Sequence, residues 1–262
     1  MEKLAGEELG LHSAPEGGRW GNRLLAALPP DVAGLLEQDM RQVSLPQGAV
    51  CFGVGDLIDL IYFPTSGMIS SMIMTGDGGM VETSSIGREG AAGLQSAFGE
   101  RRSFARALVQ IPGRFTIVPA ARFAQVANAS APVRDIVLCY TETLWAEAQQ
   151  LAACNAIHGG SSRLCRWLLQ TADRIGADQL LLTQEFLAEM LGVRRTTVTL
   201  LAQELQRHGI VKYSRGKITI IDRPTLEELA CECYHVTKHD NLPRRIGVDF
   251  QAAARFGAAG LD

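Results

Sequence analysis

The chain is poor in groups that several common functions need. Histidine is absent between positions 13 and 157. A metal enzyme housed in a β-barrel needs imidazoles and carboxylates clustered on its strands, so that class is excluded. Cysteine is absent from the first 50 residues, and the six thiols at 51, 139, 154, 165, 231 and 233 are too scattered for a disulfide framework or for paired CxxC metal knuckles. They read as reduced and mostly buried core thiols. The one compact group, Cys231-Glu232-Cys233-Tyr234-His235, offers soft donors but lacks a fourth ligand at the usual spacing, so no metal is assigned to it. Apolar runs are too short and too interrupted to span a membrane. The acidic start, MEKLAGEELGLHSAPEGGRWGN, lacks the basic and apolar stretches of a secretion signal, so the expected location is the cytoplasm.

What is present is a chain of 262 residues, 47% hydrophobic and 20% charged, enough for one large domain or two modest ones. The net charge of -3 hides an asymmetry. Residues 1–157 carry 11 Lys and Arg against 16 Asp and Glu, whereas residues 158–262 carry 14 against 12. Between Arg194 and Lys217 the basic residues Arg194, Arg195, Arg207, Lys212, Arg215 and Lys217 face one acid, Glu204. A confined basic patch on an acidic protein points to a confined anionic partner.

Residues 1–22 have no sustained periodicity and read as a poorly tied leader. Arg23 to Met40 predicts short helices broken at Pro29-Pro30. From Val43 to Pro119 short β-rich runs (VSL, AVCF, LIDLIYF, MISSMIM, MVETSSI, ARALVQI, RFTIVP) alternate with Gly and Pro turns, which predicts an antiparallel sandwich or barrel. Pro132 is placed to start a helix that runs without Gly or Pro to about Ile157, roughly 37 Å of helix. Ile136, Tyr140, Leu144, Ala148, Leu151 and Asn155 recur every three or four residues along it and predict the seam of a two-helix dimer contact. His158-Gly159-Gly160-Ser161 breaks the helix and supplies a hinge.

After the hinge comes an amphipathic helix from Arg163 to Ile175, with Leu164, Trp167, Leu168 and Thr171 on one face and Arg163 and Arg166 expected in solvent. Thr183 is a helix N-cap, Gly192 a tight turn, and a second helix runs from about Arg194 to Gly209. Ile210 to Tyr213 and Lys217 to Ile221, joined by Ser214-Arg215-Gly216, form a hairpin. Two helices about a glycine turn followed by a basic hairpin make a winged helix-turn-helix. A helix fits the major groove of DNA with its first turn at the base edges. With Val198, Leu201 and Leu205 turned inward, Arg194, Arg195, Thr196, Thr197 and Thr199 face the groove, Thr183 at the start of the first helix joins the DNA contacts, and Lys212, Arg215 and Lys217 neutralise phosphates.

The stretch LTQEFLAEMLGVRRTTVTLLAQELQRHGIVKYSRGKITIID, Leu182 to Asp222, resembles the DNA-binding domain of Crp/Fnr transcription regulators, and the β-region and long helix occur in that family's order. The resemblance implies an α+β architecture: a leader (1–22), a double-stranded β-helix, jelly-roll-like sensor (23–131), a dimerisation helix (132–158), a winged helix-turn-helix (159–235) and a tail (236–262). It also implies a homodimer on double-stranded DNA with two-fold symmetry, contact with RNA polymerase, no enzymatic activity and no membrane partner. Arg195 matches the position with which the family commonly reads guanine, while Thr196 and Leu200 depart from its Glu and Arg, so the operator departs from the well-known cAMP-receptor site. Cyclic-nucleotide binders in the family use a Gly-Glu pair and an Arg-Ser pair. Here Gly93 precedes Leu94, and Ser103-Phe104 stands where Arg-Ser is expected, so cAMP or cGMP is not expected as effector. A shifted cassette, or another anion, would use Arg88, Glu89, Arg102, Ser103 and Arg106. The family's N-terminal iron–sulfur cluster is excluded for want of cysteine, and His12 is a poor haem ligand. A nucleotide-regulated interaction module without DNA binding is opposed by the complete recognition helix and wing.

Overall fold

The structure, a computed structural model, describes residues 20–238 except positions 77, 100 and 215. Residues up to 19, those from 239 on, and Arg215 lie outside the described residues. Asn22 is fully buried, accepts from Leu25 N–H (3.0 Å) to cap the first helix and donates to Pro64 O and Gly90 O, both at 2.9 Å, so this residue belongs to the folded unit.

Two short helices, α1 (Arg23–Ala26) and α2 (Pro30–Glu37), precede seven strands: β1 (Arg41–Leu45), β2 (Val50–Phe52), β3 (Leu60–Pro64), β4 (Met68–Met74), β5 (Met80–Ile86), β6 (Arg106–Ile111) and β7 (Gly113–Pro119). They form two antiparallel sheets, in the orders β1-β7-β3 and β2-β6-β4-β5. Phe52, Ile58, Ile69, Ile86, Ala107, Val109 and Phe115 make up one core cluster. Helix α3 (Ala120–Ala129) and the start of α4 (Ala131–Ile157) join α1 and α2 over Ile61, Phe63 and Val118 in another.

The second half contains α5 (Gly160–Ile175), β8 (Gln179–Leu181), α6 (Gln184–Leu191), α7 (Arg195–Arg207), β9 (Val211–Ser214), β10 (Lys217–Ile220), α8 (Arg223–Leu229) and α9 (Cys233–Val236). The hairpin gains a third strand, in the order β8-β10-β9, that the sequence pattern did not reveal. Among the described residues no helix is long and apolar enough to cross a membrane.

An antiparallel sheet commonly leaves one face to water. Here Met68, Met72, Leu108 and Ile111 instead share a core with Leu164, Trp167, Leu168 and Leu187 of the second half. The helical domain is thus docked on the four-stranded sheet, which explains why β4 carries buried residues on both faces: Met68, Ile69, Ser70 and Met72 are all at 0% exposure.

The expected dimer seam on α4 is corrected in its first half, Ile136 to Leu144, by this packing. Ile136 and Tyr140 are buried inside the protomer, and Leu144 packs partly against the same core. Tyr140 Oη accepts from Ala91 N–H (3.1 Å), and a Cβ on Gly90 would lie 2.0 Å from that oxygen, so the helix is seated on the 87–91 loop. Its outward face carries Leu138 and Trp145 instead, 51% and 67% exposed. The Ile136-Tyr140-Leu144 part of the stripe marks the face turned to the β-domain, because both faces of a two-sided helix show the same period. Ala148, Leu151 and Asn155 are half-buried.

Candidate nucleic-acid interface and the contacts that orient it

Helix α6 begins at Thr183, whose hydroxyl accepts from Phe186 N–H (3.3 Å), and ends at Gly192, whose φ of +62° suits a residue without a side chain. Thr183 is thus a cap. The turn brings in α7, held by the buried Val198, Ala202 and Leu205. No side chain caps α7, so its first N–H groups and the positive end of its dipole open outward beside Arg194, Arg195 and Thr196, all exposed. Thr197 is half-buried. Thr199 is only partly turned outward: its hydroxyl lies 2.8 Å from Gln184 Oε1 and ties α7 to α6. Lys212 and Lys217 are exposed on β9 and β10. The basic end of α7 and the hairpin cations therefore stand on one compact domain, with both classes of contact that groove recognition needs.

Arg166 is buried and Arg163 half-buried, against the expectation that both are solvated. Arg163 donates to Leu191 O at the end of α6, and Arg166, 6% exposed, donates to Gln170 Oε1 at 2.5 Å. Packing of α5 against the rest of the protein removes Arg166 from water.

That docking is fastened by polar groups with no local sequence signal. Arg174 of α5 reaches Glu89 of the 87–91 loop (3.2 Å) and Glu147 of α4 (3.1 Å), all three side chains being buried. Burial works against the guanidinium's charge, but Glu147, Glu89 and Glu82 outweigh it and hold Arg174 protonated. Trp167 Nε1 donates to Glu82 Oε2 (2.7 Å), and Ser70 Oγ donates to Glu82 Oε1 (2.6 Å).

Burial pushes the Glu82 carboxyl above its ordinary range, against the pull of the Ser70 and Trp167 hydrogen bonds. A raised folded-state value favours the neutral acid, so this group's contribution is full below its unfolded value and is lost as pH rises through the folded one. Glu82→Gln keeps an acceptor for Trp167 and removes the titration. Scanning calorimetry between about pH 5 and about pH 8 should give a smaller loss of Tm in the variant than in the parent protein. Equal losses would show that Glu82 does not titrate in this window.

The five expected effector residues fall in three places. Arg88 donates to Arg174 O (3.3 Å), and Glu89 accepts from Gly87 N–H (2.7 Å) as well as pairing with Arg174. Arg102 donates to Gly55 O (2.9 Å), while the buried Ser103 hydroxyl donates to Ala105 O (2.7 Å). Arg106 lies on β6 opposite Met72.

The thiols divide into two kinds. Burial pushes the half-buried Cys51 up to about 12 and the fully buried Cys165 up to about 11, which makes both poor nucleophiles. Cys231 and Cys233 instead meet Cys154 and His158 of α4, so two donors absent from the local spacing come from a distant helix. His235 is not among them and lies tilted against Tyr234, with ring centroids 5.0 Å apart.

Residues 162–229 match the Crp-like helix-turn-helix domain. No curated protein matches the chain. Among solved structures, a Crp/Fnr-family transcriptional regulator from Eubacterium rectale superposes with a TM-score of 0.62 at 22% identity, covering 80% of this chain and 98% of that one. FixK2 from Bradyrhizobium japonicum gives 0.64 at 17% identity over 73% and 98%. A Crp/Fnr-family regulator from Thermus thermophilus gives 0.59 at 25% identity over 72% and 98%. The chain carries a Crp-like helix-turn-helix DNA-binding domain on the fold of the Crp/Fnr transcriptional regulators.

Proposed function

We propose that the protein is a sequence-specific transcription regulator that binds a two-fold symmetric DNA site as a homodimer. The observation that carries this reading is the uncapped first turn of α7, with Arg194, Arg195 and Thr196 exposed, beside the wing cations Lys212 and Lys217. Arg195 reads a guanine edge and the wing positions the domain on phosphates. Such a regulator works in the cytoplasm, and by family likeness its further partner is RNA polymerase.

The dimer contact is the outward face of α4, where Leu138, Trp145 and Ala152 recur every seven residues beside Thr141, Ala148 and Asn155. Asn155 Oδ1 is buried without a hydrogen-bond partner, a group that a second α4 helix would satisfy. The effector is not a cyclic nucleotide on this reading, because Glu89 and Arg88 are engaged with Arg174 and Ser103 is turned into its own loop. Micromolar cAMP binding by calorimetry would overturn that part.

DNA selected from a random pool by the full chain provides the test. Arg195→Ala is expected to weaken binding to the selected site by about 10- to 100-fold while barely changing binding to random DNA. Lys212→Ala with Lys217→Ala should weaken both alike and flatten the dependence of log affinity on log salt by about 1.8. Unchanged affinity in all these variants would refute DNA recognition by this surface.

A further inference from the structure

Four donor atoms converge where the long helix ends. Cys154 and His158 are one helical turn apart on α4, and His158 N–H closes that turn on Cys154 O (3.0 Å). Cys231 and Cys233 flank Glu232, Cys231 between α8 and α9 and Cys233 as the first residue of α9. All four ligand atoms lie within 4.8 Å of one another. Cys154 Sγ is 3.6 Å from Cys231 Sγ, and Cys233 Sγ is 3.6 Å from His158 Nδ1. With Zn–S near 2.3 Å and Zn–N near 2.0–2.1 Å, a tetrahedral ion would separate its sulfurs by about 3.8 Å and sulfur from nitrogen by about 3.6 Å.

The surroundings fit the same reading. His158 Nε2–H points at Glu232 Oε2 (3.1 Å), the carboxylate partner that leaves Nδ1 free to ligate and fixes the ring. Gln150 Nε2 donates to Cys233 Sγ (3.0 Å), as to a thiolate. The three cysteines are 1–6% exposed, yet Cys154 and Cys233 also line a polar cavity of about 30 Å³ with Gln150, Arg166 and Gln170, which gives an ion a way in. A polynuclear iron–sulfur cluster would have to spread its ligands around several irons and sulfides, whereas these donors surround one point.

We propose that Cys154, His158, Cys231 and Cys233 form a four-coordinate Cys3His site for one thiophilic divalent cation, zinc first. Thiolate and imidazole donors in a tetrahedron suit zinc over magnesium or calcium, and the closed ligand set makes the site structural. Its position gives it a consequence. Two ligands end the long helix at the hinge and two follow the winged domain, so the ion ties that domain's last segment to α4. The site itself does not depend on the chain's binding DNA.

The test uses the reduced full chain, stripped with chelator and titrated with zinc or cobalt. One equivalent per chain is expected, with the intense thiolate-to-cobalt absorption and visible bands of a tetrahedral site. Cys231→Ser/Cys233→Ser should abolish both, Glu232→Gln should weaken affinity by about 10-fold, and Cys51→Ser/Cys165→Ser should change neither. Alkylation followed by mass spectrometry keeps the result independent of variant folding: zinc should protect Cys154, Cys231 and Cys233 in the parent chain and leave Cys139 reactive. Less than a tenth of an equivalent bound, binding that survives loss of Cys231 and Cys233, acid-labile sulfide in the purified protein, or a Cys154–Cys231 disulfide whose reduction yields no zinc binding would each overturn the proposal.

Discussion

Arg174→Ala should lower the unfolding free energy by about 3–5 kcal/mol, because removing one partner of a buried ionic group leaves the others charged in a poor solvent. The two carboxylates that lose the guanidinium come from the sensor loop (Glu89) and the long helix (Glu147), and both are buried. For a chain of this size the loss corresponds to a fall in Tm of about 6–20 °C by calorimetry. A salt bridge of the same geometry at the surface would contribute about 1 kcal/mol or less, so the magnitude reads burial directly. The triple variant Arg174→Met/Glu89→Gln/Glu147→Gln replaces the whole network by neutral groups of similar size and should recover most of the loss, since a buried ionic network offers little net advantage over well-packed neutral side chains. If the single variant loses less than about 1 kcal/mol, the three side chains are solvated and the docking of α5 on the sheet rests on Trp167 and the apolar core alone. Because Arg174 links α5 to both other units, the single variant should also be cut faster by protease at Gly159-Gly160, while the triple variant should resist.

How much of this was legible in the sequence depended on the range of each interaction. The winged helix-turn-helix was, because caps, turns and apolar spacing are local: Thr183, Gly192 and the Val198 to Leu205 stripe each act within a few residues. The short strands and the unbroken long helix were legible for the same reason. Which way α4 faces was not, since period alone does not say whether a stripe meets a partner or the chain's own β-domain, and Tyr140 against Gly90 and Ala91 joins residues about 50 positions apart. Arg166, expected in solvent, is buried because α5 docks on a sheet whose outer face no local pattern marks as covered. The Cys231 and Cys233 pair showed only half of its ligand set for that reason too: Cys154 lies 77 positions away from Cys231.

The corrected orientation of α4 carries the second large prediction. If the outward face of α4 is the dimer contact proposed above, Leu138→Glu/Trp145→Glu should give a monomer of 28.3 kDa in light scattering where the parent chain gives a dimer. Both side chains are more than half exposed in the single chain, so the variant places charge in water and should leave the fold and its far-ultraviolet spectrum unchanged. In the dimer the same changes would bury four carboxylates against one another, a cost that an apolar helix pair cannot offset. Affinity for the selected DNA should then fall by more than about 100-fold, because each half-site loses the effective concentration that its tethered neighbour supplies. The other face of the helix supplies the contrast. Tyr140→Phe loses the hydrogen bond to Ala91 N–H, should destabilise the chain by about 1–3 kcal/mol through an unsatisfied buried donor, and should stay dimeric. The reverse pattern, a monomeric Tyr140→Phe beside a dimeric Leu138→Glu/Trp145→Glu, would mean that the helix turns over on association and that the Ile136-Tyr140-Leu144 stripe is the seam after all. A dimer that survives both changes would place the two-fold contact off α4 entirely, and the spacing of the two α7 helices, which α4 sets in the present reading, would then have to be fixed by another element.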